Sequence, residues 1–426
     1  MIDNTNRSKK TDFNRSHLIQ FLKEPAMSKN DPHRSRVSRR QVIRGLLATG
    51  AFGATSKLWT GCTPATNTTT ASGGSPAASP ASAKELVMGF IYVGPKDDFG
   101  YNQAHFQGKE GLKGLNVKTV DQASVPETTE VQEAMRNMIE QDKATVLFPT
   151  SFGYFDPHIL KLAADFPDVQ FFHCGAMYDA AKHPKNVGSY FGYIDEAQYV
   201  AGVVAGHMSK SGKLGFVAAK PIPQVLRNIN SFTLGARSIK PNITTQVIFT
   251  GDWSLPVKEA EATNSLVDQG ADVITCHVDS PKVVMETAEK RGVFSSGYHA
   301  NQASLAPKGY LTGAEWDWTK VYTEYAKMIQ EGKTLMNGGI PHLLRGGYKD
   351  GFVKISPFGP AVTAEAKKSA DNIVAQMQTG SLVVYKGGLK DNTGKTVVPD
   401  GKDFGATAIE LESMNWLVEG VVGKTA

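Results

Sequence analysis

Cysteine is scarce: the 426 residues hold three, Cys62, Cys174 and Cys276. None sits at metal-ligand spacing from other candidate ligands, which excludes a zinc ribbon or finger, and three thiols cannot build a disulfide-dense scaffold. A Cys174–Cys276 bridge stays open on sequence alone. His173 beside Cys174 and His277 beside Cys276 do not form metal pairs, because neighbours on a strand point to opposite faces; no metal is expected. Long apolar runs are also missing from the N-terminal region. Its most apolar stretch, Gly45 to Ser56, is well short of the ~20 residues that a bilayer-spanning helix needs. No Gly-x-Ser-x-Gly elbow, P-loop or His-Glu-x-x-His occurs, and the ten histidines are scattered. No catalytic residue and no cofactor are therefore expected, and the chain reads as a non-enzyme. A basic footprint is absent where it would matter. Of the 46 Lys plus Arg, 12 fall in residues 1–61, against 4 of the 41 Asp plus Glu, so the remainder nets −3 and no nucleic-acid partner is expected.

What is present begins with Ser38-Arg39-Arg40-Gln41-Val42-Ile43-Arg44 ahead of that weakly apolar stretch, an order that resembles a twin-arginine export signal. Leu58-Trp59-Thr60-Gly61-Cys62 resembles a bacterial lipobox, with Trp59 standing where an aliphatic residue is usual. The resemblance implies export, cleavage before Cys62 and lipidation of Cys62, which would anchor the chain to a membrane facing the periplasm or cell exterior. An unmodified, released form is the competing reading. Translation starting at Met27 would give a signal of ordinary length. Residues 62–83 are almost entirely Thr, Ala, Ser, Pro, Gly and Asn and read as a flexible tether.

From Lys84 onward, short β-branched runs alternate with longer amphipathic segments. Strands are expected at Leu86–Val93, Val117–Val120, Thr145–Pro149, Val169–His173, Asn186–Phe191, Lys213–Val217, Thr245–Phe249, Val273–Thr275, Val293–Gly297 and Tyr310–Thr312, most followed by helices. This predicts an α/β fold of parallel sheets flanked by helices. About 340 residues exceed one typical core, so two lobes are expected with a ligand cleft between them. The expected division is 84–195 with about 309–350 for lobe 1, and 196–308 with about 351–426 for lobe 2. Gly202 and Gly206 are spaced for close helix packing at the first crossing.

Several loops just beyond these strands resemble the basic membrane protein family of ABC-importer substrate-binding lipoproteins, some of which bind purine bases or nucleosides. The carriers are Gly94-Pro95-Lys96-Asp97-Asp98-Phe99-Gly100-Tyr101-Asn102-Gln103, Thr150-Ser151-Phe152-Gly153-Tyr154, and Pro221 through Phe232. The resemblance implies a two-lobed periplasmic-binding-protein type I fold. It also implies ligand contacts from Tyr101 and Asn102, from Ser151 and Phe152, and from Asn228 and Asn230. Trp253, Asp279, Glu315 and Trp316 complete the expected set. Aromatic faces suit a flat heterocycle, and amides and carboxylates suit its polar edge. Structural alternatives stand beside these: Tyr101 packing its loop, Phe152 in the core, Asn228 or Asn230 as helix caps, Asp279 capping Pro281–Arg291, and one of Trp316 and Trp318 in the core. Where relatives often carry an acidic residue after the pair matching Gly297-Tyr298, this chain reads His299-Ala300-Asn301-Gln302. The leading reading is capture of a purine base or nucleoside for an ABC permease and its ATPase. An anchored receptor that signals and a nucleoside-cleaving enzyme are the alternatives.

Overall fold

The computed structural model describes residues 85–425; the signal, lipobox and tether lie outside them. Thirteen strands and ten α-helices are described, in chain order β1 (Leu86–Ile91), α1 (Tyr101–Glu110), β2 (Val117–Gln122), α2 (Thr129–Glu140), β3 (Val146–Pro149), α3 (Leu160–Asp165), β4 (Gln170–Cys174), β5 (Val187–Gly192), α4 (Asp195–Met208), β6 (Lys213–Ala218), α5 (Pro223–Ile239), β7 (Thr244–Phe249), α6 (Pro256–Asp268), β8 (Val273–His277), α7 (Lys282–Lys290), β9 (Phe294–His299), β10 (Tyr310–Trp316), α8 (Trp318–Gln330), β11 (Leu343–Gly346), β12 (Val353–Ile355), α9 (Ala364–Thr379), α10 (Ile409–Glu412) and β13 (Val421–Val422).

All six residues of β1 are buried, as a parallel strand covered on both faces requires. The helices that cover it show the complementary pattern. In α2 the buried residues are Val131, Ala134, Met135 and Met138, one stripe at helical spacing. Its N-terminus is capped by Thr128, whose hydroxyl accepts from the Glu130 N–H at 3.3 Å.

Two sheets result. The first has strand order β11-β5-β4-β3-β1-β2 and the second β12-β10-β9-β8-β6-β7-β13. Every pairing is parallel except β10 with β12. The chain passes between sheets three times, after β5, after β10 and after β11. The α4–α5 contact in the second lobe depends on glycine. A Cβ on Gly202 would collide with the Phe232 carbonyl oxygen, and one on Gly235 with the Tyr199 carbonyl oxygen.

One expected boundary moves. The sequence places the strand at Tyr310 in the first lobe, but β10 pairs with β9 in the second sheet, and the chain returns to the first lobe only at α8, which packs on α1. Side-chain bonds hold the strand there: Tyr310 reaches Ser356 Oγ at 2.8 Å and Thr312 Oγ1 donates to the Ser356 carbonyl at 2.7 Å, both inside the second lobe. After α9 the chain forms a long strap over the second lobe. Its Tyr385 hydroxyl donates to the Arg227 carbonyl at 2.9 Å, and β13 pairs with the edge of β7. Cys174 and Cys276 are buried free thiols in different sheets, β4 and β8.

Candidate functional site

A cavity opens between the carboxyl ends of the two sets of strands, where open α/β sheets place their ligands. Tyr101, Glu127, Ser151, Phe152, Cys174 and Phe191 line it from the first lobe. From the second come Gln224, Arg227, Asn228, Trp253, His277, Asp279, Tyr298, His299 and Trp316, among others, together with Leu411 and Glu412 of the strap.

The loop before α1 is organised by one buried carboxylate. Asp98 accepts from the N–H groups of Gly100 at 2.8 Å, Asn102 at 3.0 Å and Gln103 at 2.9 Å. This turns Tyr101 into the cavity, where its hydroxyl donates to the Thr150 carbonyl at 2.6 Å. Its ring meets His299 of the other lobe edge-on at 5.4 Å. Asn102 does not line the cavity. Its side chain donates to Asp98 at 2.8 Å and accepts from the Gly94 N–H at 3.2 Å, so both ends are used in holding the loop. Ser151 donates to Glu127, which also accepts from the Gly153 N–H at 2.8 Å. Phe152 is 58% exposed at the rim, so it is not a core residue.

On α5 the two expected asparagines part company. Neither caps the helix: both lie inside it, behind Pro223 in the first turn. Asn228 lines the cavity, donating to His277 Nδ1 at 2.8 Å and to the Tyr298 hydroxyl at 2.8 Å. Asn230 faces away, because residues two apart on a helix point to nearly opposite sides. Its amide donates to the Trp416 carbonyl at 3.0 Å and accepts from the Val418 N–H at 2.7 Å, clasping the strap. Glu315 is likewise outside the cavity lining. Alternation along β10 turns it away from the face that Trp316 occupies, and it accepts from Ser356.

Asp279 does not cap α7, whose cap residue is Pro281 with no side-chain hydrogen bond. Its N–H donates to the Trp253 carbonyl at 2.8 Å and its carbonyl accepts from the Tyr101 N–H at 2.9 Å. Its carboxylate, by contrast, has no hydrogen-bond partner or ion pair among the described residues. Burial pushes its pKa up to about 8, with Asp98, Glu127, Glu259 and Asp252 adding to the effect. Beside it Trp253 lies 6.1 Å from His277, with Lys220 Nζ 5.4 Å from the indole centroid.

Of the two tryptophans, Trp318 is the core residue, 1% exposed, and Trp316 lines the cavity while stacking on it at 4.7 Å. Trp316 Nε1 donates to His299 Nδ1 at 2.8 Å. That bond assigns the His299 proton to Nε2, which has no well-formed hydrogen bond among the described residues. Burial holds the His299 pKa well below the ordinary range, and burial lowers His277 to about 3, so both imidazoles are neutral. His299 has φ +72°, a region that bulky residues rarely occupy.

Glu127, Arg227, His277, Tyr298 and the strap pair Leu411 and Glu412 line the cavity without being among the contacts expected from sequence. His277 and Tyr298 end predicted strands and were open to inference on that ground. No sequence signal marks a strap residue some 180 positions from the helix it covers. Arg227 is the hub at the hinge end of the cavity. Its Nε lies 2.9 Å from Asp195 Oδ2, its Nη2 donates to the Ala406 carbonyl at 2.8 Å, its Nη1 lies 3.9 Å from Glu412, and its guanidinium covers the Tyr193 ring at 4.7 Å. The cavity combines aromatic side chains with polar and charged groups, a lining suited to holding a small molecule. Among the described residues no helix is long and apolar enough to cross a membrane, and no group of metal-ligating side chains gathers.

Comparison with known proteins agrees with this architecture. A purine-binding protein of Brucella abortus is 34% identical over 344 residues, covering 80% of this chain and 94% of that protein. A putative ABC transporter glucose-binding protein of Haloferax volcanii is 30% identical over 349 residues, covering 81% and 82%. Among solved structures, a solute-binding protein of an ABC transporter from Conexibacter woesei superposes with a TM-score of 0.59 at 20% identity, covering 70% of this chain and 97% of that one. That likeness shows the two-lobed solute-binding fold. The family described as ABC transporter substrate-binding protein, PnrA-like, matches residues 85–384, and the chain belongs to that family.

Proposed function

We propose that this ABC substrate-binding protein captures a purine base or nucleoside between its lobes and delivers it to its permease. The observation that carries the reading is the pairing of aromatic walls with an unsatisfied edge group. Tyr101 from one lobe and Trp253, Tyr298 and Trp316 from the other line one cavity, and the Asp279 carboxylate lines it without a hydrogen-bond partner among the described residues. A planar heterocycle fits between such faces, with stacking contributing ~1–3 kcal/mol per base. An exocyclic amine, ring N–H or ribose hydroxyl would supply the donor that Asp279 lacks. The Brucella relative, described as purine-binding, supports the same choice.

The Haloferax relative, described as glucose-binding, favours a sugar as the second reading, since aromatic faces also stack on pyranose rings. Calorimetric titration with adenine, guanine, hypoxanthine, xanthine, their nucleosides and glucose decides between them. Binding of at least one purine at micromolar affinity or better is expected. Binding of glucose alone would overturn the purine reading and leave the transport role in place. A nucleoside-cleaving activity would appear as free base in the same mixtures, and none is expected.

The lipid anchor at Cys62 lies outside the described residues and forms the other half of the proposal. A diacylated Cys62 with the Thr63–Ala83 tether would hold the binding domain near the permease and raise its local concentration there. Acyl labelling of the wild type, lost in Cys62→Ala, is the expected result. Equal labelling of both would remove the anchor.

A further inference from the structure

The family match ends at residue 384, yet the cavity does not. Leu411 and Glu412 line it, and both belong to α10 of the strap. The strap is fixed to the second lobe at several points. Tyr385 donates to the Arg227 carbonyl at 2.9 Å and meets Ser231 Oγ at 2.9 Å; Asn230 clasps Trp416 and Val418; β13 pairs with β7. Arg227 donates to the strap carbonyl of Ala406 directly above α10. These bonds hold α10 over the hinge end of the cavity, the end that Phe191, Ile194 and Asp195 line, and Asp279 enters from the loop beside Tyr101 and Trp253.

Glu412 is delivered there with little to do for the fold. Its carboxylate makes no hydrogen bond among the described residues, and its nearest cation is Arg227 at 3.9 Å. That guanidinium is committed to Asp195 at 2.9 Å, with the Asp195 and Arg227 side chains 5% and 6% exposed and that of Glu412 22% exposed. A half-buried carboxylate facing a cavity, with Arg227 shared with Asp195 and Arg345 beyond ion-pair distance, is a hydrogen-bond acceptor open to a donor.

We propose that the strap is part of the binding site and that Glu412 is a specificity-determining residue, accepting a hydrogen bond from an amine or hydroxyl on the ligand. Arg227 acts as the positioning residue that sets α10 over the hinge end. This rests on the cavity being the ligand site described above, and it holds for any ligand that carries such a donor. With Asp279 it gives the cavity a second carboxylate without a hydrogen bond among the described residues, so ligands carrying two donors are selected over those with one.

The test compares wild type with Glu412→Gln and Glu412→Ala by calorimetry against adenine, guanine, hypoxanthine, xanthine, their nucleosides and glucose, with melting temperature as the control for folding. Both variants are expected to melt with the wild type. At least one ligand is expected to lose tenfold or more in affinity in both variants, and the rank order within the panel should change. A loss confined to the nucleosides assigns the donor to a ribose hydroxyl; a loss for adenine but not hypoxanthine assigns it to the exocyclic amine. Affinities within twofold of wild type across all ligands bound, in unchanged order, would overturn the proposal while leaving the purine reading standing. A wild type that binds glucose and no purine overturns the purine reading instead, and Glu412 is then judged by the same comparison on glucose. A wild type that binds nothing in the panel overturns both.

Discussion

The backbone N–H of Tyr101, in the first lobe, donates to the backbone carbonyl of Asp279, in the second, at 2.9 Å. Two further bonds cross beside it: Ser280 Oγ to the Asp98 carbonyl at 2.7 Å, and Gln302 Nε2 to the Phe99 carbonyl at 2.6 Å. The lobes therefore meet through main-chain groups of the Asp98–Tyr101 loop, the signature of a closed cleft.

Closure at this point requires glycine. A Cβ on Gly100 would collide with the Asp279 carbonyl oxygen and come within 2.7 Å of the Pro281 ring. Gly100→Val is predicted to disfavour the closed form by ~1–3 kcal/mol, the usual range for overpacking, which corresponds to about five- to 150-fold weaker binding. Small-angle scattering should show the ligand-saturated variant remaining more open than the wild type. An unchanged affinity would mean that the cleft need not close here.

Asp279 gives binding and stability opposite responses to pH. Its folded-state pKa of about 8 lies above the ordinary carboxylate value of 3.8, so between those values the folded chain holds the proton more tightly than the unfolded one. This group's contribution to stability is full below the unfolded pKa and falls as pH rises through 8. Asp279→Asn is predicted to melt close to wild type at pH 5 and above it at pH 8.5, measured without ligand. Ligand donating to the ionised carboxylate reverses the trend for affinity. Wild-type binding should strengthen from pH 6 to 9 with release of a proton, read from calorimetry in buffers of different ionisation heat, and the variant should lose that slope.

Much of this architecture was legible in the sequence, for physical reasons that differ by element. Buried parallel strands such as β1 and β6 are continuous apolar runs, and the expected strand at Leu86 overlaps the observed one. The edge strand β11 has four residues with Leu343 exposed, too little pattern to detect. Helix phase would have separated Asn228 from Asn230, since both cannot face one cavity. His299 was noticed as a departure from the related sequences, but its left-handed backbone and its bond to Trp316 depend on β9 and β10 lying side by side. The strap escaped because its clasps join residues more than 150 positions apart.

The two cavity tryptophans should separate affinity from stability. Trp253 is half-buried, and its ring packs on His277 and under Lys220. Trp253→Ala is predicted to weaken ligand binding by ~1–3 kcal/mol, the range for base stacking, with a small change in melting temperature. Trp316 is 6% exposed, stacked on Trp318 and bonded to His299. Trp316→Ala should lower unfolding free energy by ~3–5 kcal/mol in urea titrations, and it leaves His299 Nδ1 without its donor. Equal effects of the two changes on stability would contradict this division.

The Asp195–Arg227 pair carries the last prediction, because it ties the first lobe crossing to α5 and the strap. Both side chains are almost fully enclosed, at 5% and 6% exposure. Asp195→Asn keeps the shape but leaves the guanidinium without its principal counter-charge in a desolvated site, and a loss of ~3–5 kcal/mol is expected. Lys402 and Glu410 in the strap, 3.1 Å apart and 58% and 42% exposed, provide the control. Glu410→Gln should melt with the wild type, as expected for an exposed pair. Replacing both buried partners together, Asp195→Leu with Arg227→Met, should recover part of the stability lost in Asp195→Asn, since no unpaired charge remains. It should still bind ligand more weakly, because Arg227 no longer holds Ala406 and α10 over the cavity. Recovery of both stability and affinity would mean that the strap keeps its place without Arg227.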